Sequence, residues 1–339
     1  MNFYKNKAVR PLSLSLAIFA AALLSAPIFF SCSALKKERH SLKIVNWNAQ
    51  TFFDGNNDGI EYPNFVKSKK WSQDAYMDRL KKLCKAIDLL DGDLVVLEEI
   101  ENIGIVHDIS NALAKNSWNK KKLYRYACFA KKPGSSIGCA VLSRLPLQDL
   151  KVHALDIQAE ALPAPSMRPL IEVDLFAPKR LKLFVNHWKS KAGGSDSNVW
   201  RRWQESLLAQ KILEAQTNDS QAAILCAGDF NQDISEFRLV QEEQDGASVP
   251  KVELRSPFCG QNVLVRSPWL DCDSPIGSYN FRDKWERIDH FFCCGDLTME
   301  DFGPQTGEWS YEDGRPKVFR IHSLIGWSDH LPIACRVEW

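Results

Sequence analysis

Eight polar residues stand at or just beyond the ends of apolar runs, where side chains from distant parts of a chain can converge on one site. Asn48 closes Lys43-Ile44-Val45-Asn46-Trp47-Asn48, Glu99 closes Val95-Val96-Leu97-Glu98-Glu99, and His187 closes Leu183-Phe184-Val185-Asn186-His187. Asp229 and Asn231 follow the run Ala222–Cys226 within Gly228-Asp229-Phe230-Asn231, which sets two oxygen ligands two residues apart after a glycine that permits a tight turn. Arg287-Ile288-Asp289-His290 opens another hydrophobic run, and Ser328-Asp329-His330-Leu331-Pro332 precedes the last one. A carboxylate and a histidine on neighbouring strands would orient and charge an imidazole. Singly, each residue also has an ordinary structural reading: a strand-end Asn caps a turn, a strand-end Glu is solvated, a lone His is hydrogen-bonded, and Asp-x-Asn is common in turns.

Cations gather around His187 as Lys189, Lys191, Arg201 and Arg202. Lys67, Lys69, Lys70, Lys120, Lys121, Lys122, Lys131 and Lys132 would extend a track for a phosphodiester backbone, although lysine runs are commonly solvated faces. With 43 Lys+Arg against 42 Asp+Glu, no global basic field exists, so phosphate binding must be local.

Seven stretches, in this order, carry a resemblance: Asn46-Trp47-Asn48, Leu97-Glu98-Glu99, Gly138-Cys139-Ala140-Val141-Leu142-Ser143-Arg144, Asn186-His187, Gly228-Asp229-Phe230-Asn231, Arg287-Ile288-Asp289 and Ser328-Asp329-His330. The chain from Leu42 to Trp339 resembles the endonuclease/exonuclease/phosphatase superfamily. The resemblance implies an α/β fold, a four-layer α/β/β/α sandwich with two central, mostly antiparallel sheets of the deoxyribonuclease type. It further implies Mg²⁺, with Mn²⁺ as a substitute, held by Glu99 with help from Asn48 and with Asp329 as a nearby carboxylate; a hard cation prefers such oxygen ligands. Asp229 would position or deprotonate the attacking water, and Asn231 would contact that water or a phosphate oxygen. Asp289 would orient His330, His330 would hold a nonbridging oxygen or assist the leaving group, and His187 would give a second phosphate contact.

Fold and catalytic core do not select the ester. The Tyr-x-Pro-Asn-Gly type segment usual in abasic-site repair enzymes is missing, and Lys284-Trp285-Glu286-Arg287-Ile288-Asp289 departs from the inositol 5-phosphatase pattern. Asn186-His187-Trp188-Lys189-Ser190-Lys191-Ala192-Gly193-Gly194 looks like the segment of bacterial secreted nucleases, so a monomeric extracytoplasmic nuclease acting on nucleic acid, with DNA favoured, is expected. Two alternatives stay open. One is a phospholipid phosphodiesterase of the sphingomyelinase type, if Trp188, Trp200 and Trp203 face a bilayer, or another phosphatase of the same superfamily; the other is a catalytically silent surface binding module.

The elements that must position these residues follow from periodicity. Strands are expected at Leu42–Asn48, Asp93–Glu99, Leu123–Ala130, Ile137–Ser143, Pro169–Leu175, Leu181–His187, Ala222–Ala227, Arg287–Cys293 and Leu331–Glu338. Tyr76, Leu80, Leu83, Ile87 and Leu90 recur at helical spacing, Asn198–Ala215 reads as a second helix, and Glu242–Ser278 reads as a long surface loop. At 339 residues and 45% hydrophobic composition a sizeable core is expected without an internal domain boundary.

Lys5, Lys7 and Arg10 precede an apolar stretch from Leu12 to Phe30, which reads as a signal peptide over residues 1–31. Ser31-Cys32 suits a lipoprotein signal, with Cys32 as lipid acceptor and membrane anchor, residues 32–41 a linker, and 42–339 the catalytic domain. Export to a bacterial cell envelope, or secretion, is the expected location. Nine cysteines follow Cys32, an odd number that excludes full pairing; Cys259 and Cys272 flank a loop-like stretch and are the expected bridge. Asp54-Gly55-Asn56-Asn57-Asp58-Gly59 starts like a calcium-binding loop, but its twelfth position is Phe65 rather than Glu, so a polar turn is expected.

Overall fold

The computed structural model describes residues 40–116, 122–155, 166–176, 179–194, 197–244, 247–256 and 260–339. The expected leader and linker to residue 39, Cys32, Cys259, Lys120 and Lys121 lie outside them. Cys272 is a half-buried free thiol.

Two large sheets face each other. The first carries β1 (Ser41–Phe52), β2 (Leu94–Ile100), β3 (Tyr126–Ala130), β4 (Gly138–Ser143), β15 (Thr298–Pro304) and β16 (Ile333–Glu338), in the order β15-β16-β1-β2-β4-β3. The second carries β5 (Leu147–His153), β6 (Leu170–Phe176), β7 (Arg180–His187), β8 (Ala223–Asp229) and β14 (Asp289–Cys294), in the order β14-β8-β7-β6-β5. Within them only β1–β2 and β7–β8 pair in parallel.

Side-chain alternation divides the strands between two cores. Ile44, Leu94, Val96 and Val141 face the second sheet, whereas Val45, Trp47, Val95, Leu97 and Leu142 face helices α2 (Gln73–Leu90) and α3 (Ile103–Asn116). Ser72 caps α2 by accepting from the Ala75 N–H at 3.3 Å, and the helix ends at Asp91 with φ 46°. The four-residue α1 (Pro63–Val66) precedes it. On the outer side of the second sheet α4 (Ser197–Asn218) buries Leu208, Ala209 and Ile212. Helices thus cover both outer faces, giving the α/β/β/α layering expected from the resemblance.

The expected loop Glu242–Ser278 is a misreading. It contains most of a three-stranded sheet, β9 (Arg238–Gln244), β10 (Ala247–Leu254) and β11 (Val263–Val265), followed by a 3₁₀ turn at Pro268–Asp271. Val252, Leu254, Val263 and Val265 are buried, and the buried Glu205 of α4 accepts from the Arg255 N–H at 2.9 Å and pairs with its guanidinium. Two apolar alternations this short carry no periodic signal; pairing across the intervening turn and burial against α4 supply the stability. A two-stranded hairpin, β12 (Tyr279–Phe281) with β13 (Lys284–Glu286), leads into β14. Trp188 and Trp200 are buried at 1% and 5% exposure and Trp203 is half-buried, so two of the three aromatics that a lipid hydrolase would turn to a bilayer are core residues.

On the outer face of β6, Glu172 is 6% exposed and accepts from Lys182 at 2.7 Å, Lys151 at 3.0 Å and His153 at 2.8 Å. Burial alone would raise its pKa, but the hydrogen bonds from Lys182, Lys151 and His153 win and bring it to about 2 from the usual 4.5. A carboxylate whose folded pKa is depressed stabilises the fold above its unfolded pKa and loses that contribution as pH falls through the folded value. Glu172→Gln is expected to cost about 2 kcal/mol at pH 7, the scale of hydrogen bonds to charged groups. Urea midpoints should show the gap to wild type narrowing between about pH 4.5 and 2; a gap independent of pH would sink this account.

Candidate active site

Register alone assembles one wall of the site. His187 lies opposite Asp229 in the parallel β7–β8 pair, and Asp289 lies opposite Asp229 in the antiparallel β14–β8 pair. Three chemically active side chains therefore stand abreast at one end of the second sheet. Gly228 has φ 145°, and a Cβ there would meet the Asn186 carbonyl oxygen at 1.9 Å, so only glycine lets β7 and β8 close at this point.

The facing wall departs from ideal strands. Alternation points Asn46, Asn48 and Glu98 into the space between the sheets and would turn Glu99 away. Instead the pairing of β2 shifts between Glu98 and Ile100, and Glu99 takes φ 63°, uncommon for a residue with a side chain. Its carboxylate then accepts from Asn48 Nδ2 at 3.4 Å and from the Thr51 N–H at 2.6 Å. Gln50 and Thr51 are also left-handed, at φ 52° and 46°. Buried Arg79 of α2, missed in the sequence, donates to the carbonyls of Ala49, Gln50 and Thr51 and stacks over Phe319 with its guanidinium carbon 3.6 Å from the ring centroid. Arg79 is a positioning residue for Glu99, and its charge faces Glu99 and Asp329.

Asp229 joins the walls. Its Oδ1 accepts from the Asn231 N–H at 2.8 Å, and its Oδ2 accepts from Asn48 Nδ2 at 3.0 Å and Asn231 Nδ2 at 2.9 Å. His187 Nε2 is 3.7 Å from Asp229 Oδ2 and 3.8 Å from Glu99 Oε1. His330 Nδ1 is 2.8 Å from Asp289 Oδ2, and its Nε2 is 4.0 Å from Asp229 Oδ2. The loop carrying His330 is pinned by Ser328, whose hydroxyl donates to the Asn48 carbonyl at 2.6 Å and accepts from the His330 N–H at 3.1 Å, and by Trp47 Nε1, which donates to the His330 carbonyl at 2.9 Å.

The two histidines are driven to opposite charge states. Burial pulls the His330 pKa down, but Asp289, Asp229 and Asp329 outweigh it and lift it well above the usual value; an imidazolium results. Burial, Arg168 and the charge of His330 push His187 well below the usual value, so it is neutral. Burial raises Asp229, with His330 opposing and Asp289 assisting, which makes it a stronger base than a solvated aspartate. Glu98, fully buried, is lifted well above the carboxylate range by burial and by Asp289 and Asp229. Glu98 Oε1, Asn46 Oδ1 and Asp289 Oδ1 are all buried without a partner, which a protonated Glu98 with an O–H to donate partly relieves.

Among the described residues, Asp229, Asp289 and His330 are the one group of three acid or imidazole side chains whose ligand atoms fall within 4.8 Å of one another. The 2.8 Å Asp289–His330 contact, with the His330 pKa lifted by its carboxylate neighbours, reads that group as an imidazolium held between carboxylates. Glu99, Asn48 and Asp229 supply the oxygen-rich, negatively charged donor set that suits a hard divalent cation. Asp329 is half-buried beside them, and burial raises its pKa.

The basic residues divide. Lys189 is half-buried near Arg168, and Lys191 is paired with Glu236 at 3.2 Å and Glu286 at 3.1 Å. The expected phosphate contact from Arg201 is not what the fold provides. Its guanidinium is buried and donates to the Lys189 carbonyl at 3.0 Å, to Ser197 and to Asn198, so it is an internal clamp on the Lys189 segment. Arg202 is exposed on α4. Arg168, which donates to the Trp188 carbonyl at 3.3 Å and bonds the Tyr62 side chain, places an unforeseen cation beside His187. The Met167-Arg168-Pro169 step into β6 gave it no periodic signal.

The sequence profile of the endonuclease/exonuclease/phosphatase family matches residues 43–324. The chain belongs to this family. Its members are phosphoesterases, typically dependent on a divalent metal. No curated protein matches the chain. The fold is shared with many solved structures, three of which follow. Truncated TDP2 of Caenorhabditis elegans has a TM-score of 0.55 at 16% identity, over 88% of this chain and 97% of that one. TDP2 of D. rerio, complexed with a single strand DNA product, has 0.51 at 18%, over 88% and 98%. The mannosyl-6-phosphatase of Bacteroides thetaiotaomicron has 0.52 at 14%, over 87% and 99%.

Proposed function

We propose that the protein is an exported, Mg²⁺-dependent nuclease that hydrolyses phosphodiester bonds, with DNA as its favoured substrate. The observation that carries this reading is the line Asp289–His330–Asp229, with 2.8 Å and 4.0 Å contacts, facing Glu99 and Asn48 across the gap between the sheets. A cation bound by Glu99, Asn48 and Asp229, with Asp329 nearby, would neutralise phosphate charge and polarise the phosphoryl group. Asp229 accepts the proton of the attacking water, held in orientation by Asn48 and Asn231. Asp289 keeps a proton on His330 Nδ1, so Nε2–H points at a nonbridging or leaving oxygen. Neutral His187 donates a second hydrogen bond, and Arg168 and Lys189 add local positive charge.

Export rests on the sequence of residues 1–31 and the anchor on Cys32. The fold relationship to a TDP2 complexed with single strand DNA product agrees with a nucleic-acid substrate, and that to a mannosyl-6-phosphatase keeps phosphomonoesters in the test. The purified protein is incubated with plasmid, single-stranded DNA, RNA, sphingomyelin and sugar phosphates, each with Mg²⁺ or EDTA. The expected result is EDTA-sensitive cleavage of DNA that weakens steeply with salt, as phosphate contacts demand. Turnover confined to a sugar phosphate or to lipid overturns the nuclease reading.

A further inference from the structure

Asp54-Gly55-Asn56-Asn57-Asp58-Gly59-Ile60-Glu61 follows β1 with the oxygen spacing and the sixth-position glycine of a calcium loop, but lacks the acidic twelfth residue. That position is Phe65 of α1, which is buried with its ring centroid 4.7 Å from that of Phe53 and cannot serve. The tertiary structure brings a carboxylate from elsewhere. Glu101, just past β2, is fully buried; its Oε2 accepts from the Asp54 N–H at 2.7 Å, and its Oε1 has no partner. The charges that act on it are those of Asp54, Glu61 and Asp58, all negative. An acceptor oxygen buried without a donor, in the field of three further carboxylates, is costly unless a proton or a cation completes it.

We propose that Asp54, Asn56, Asp58 and Glu61, with Glu101 in place of the missing twelfth ligand, form a second divalent-cation site, separate from the catalytic cluster, that takes Ca²⁺. All the donors are oxygens, four of them on a loop whose backbone bends at Gly59 with φ 80° and the fifth just past β2; such an irregular set suits the larger ion over Mg²⁺, which demands octahedral regularity. Their carboxylates are not yet gathered, since among the described residues only Asp229, Asp289 and His330 bring three such ligand atoms within 4.8 Å. Closing on an ion requires exposed Asp58 to turn inward and Glu61 to release the Asp58 and Gly59 N–H groups it now accepts from at 2.5 and 2.9 Å. The bound ion would tie the loop after β1 to the end of β2, where the Glu101 N–H already donates to the Phe52 carbonyl at 3.1 Å. Asn48 and Glu99 lie on those two strands, so the site would brace the catalytic wall.

Trp71 provides the readout, because its Nε1 donates to the Asp54 carbonyl at 2.6 Å. Protein stripped with EDTA is titrated with Tb³⁺ under tryptophan excitation, then with Ca²⁺ or Mg²⁺ as competitor, in wild type, Glu99→Gln, Glu101→Gln and Asp58→Asn. Wild type and Glu99→Gln are expected to show sensitised emission that Ca²⁺ displaces and Mg²⁺ at the same concentration does not. Asp58→Asn and Glu101→Gln should bind about tenfold or more weakly, since ligand charge count sets affinity. If Glu101→Gln does not fold, exposed Asp58→Asn still decides. Emission unchanged in Asp58→Asn, absent from wild type, or lost in Glu99→Gln, which would place the ion on the catalytic cluster, overturns the proposal. None of these readouts depends on which ester the enzyme cleaves.

Discussion

His330→Ala is expected to lower turnover by on the order of 10²–10⁴, the range of a positioned acid–base group, and Asp289→Asn added to it should cost little more. The reason is geometric. His330 Nδ1 and Asp289 Oδ2 are 2.8 Å apart and both are buried, so the carboxylate acts only through the imidazole it orients and charges. Asp289→Asn alone should lose most of the effect, because an amide fixes neither the tautomer nor the charge. Single-turnover rates for the four proteins, with thermal melts to confirm folding, complete the cycle. Multiplicative losses in folded proteins would show that the two groups act separately.

Glu99→Gln is expected to remove metal-dependent turnover by about 10³, equivalent to about 4 kcal/mol of transition-state stabilisation. Gln keeps the shape and can still accept from the Thr51 N–H, so the left-handed bend at Glu99 should survive while the negative charge on the cation is lost. Mg²⁺ titrations of activity beside circular dichroism melts separate the two effects. Activity near wild type at any Mg²⁺ concentration would remove Glu99 from the metal's ligands.

The order of the active residues along the chain, the alternation that sends Ile44 and Val45 to different cores, and the α2 stripe from Tyr76 to Leu90 are written locally, in residue type and period. They sufficed for the family and the two-sheet fold. Helix α3 was missed although Ile105, Val106, Ile109 and Leu113 recur at helical spacing and Asn102 Oδ1 caps it by accepting from the Ile105 N–H at 3.1 Å. The β9–β11 sheet had no such signal, because its short strands are fixed by pairing and by α4.

Within the site, spacing gave the residue types but not their relations. Glu99 reaches the gap between the sheets only through a positive φ held by Thr51 and Arg79, a backbone choice that propensity does not encode. Arg201 read as a phosphate contact because charge is visible in a sequence and burial is not; Arg168 went unnoticed for the converse reason. The calcium-like loop reads as a polar turn on its own twelfth residue, and Glu101 reaches its side across a separation that only folding closes. Sequence fixed which groups exist and in what order, since those are properties of single residues and their neighbours. Charge states and contact partners were decided by the tertiary structure, since burial and approach between distant strands set them.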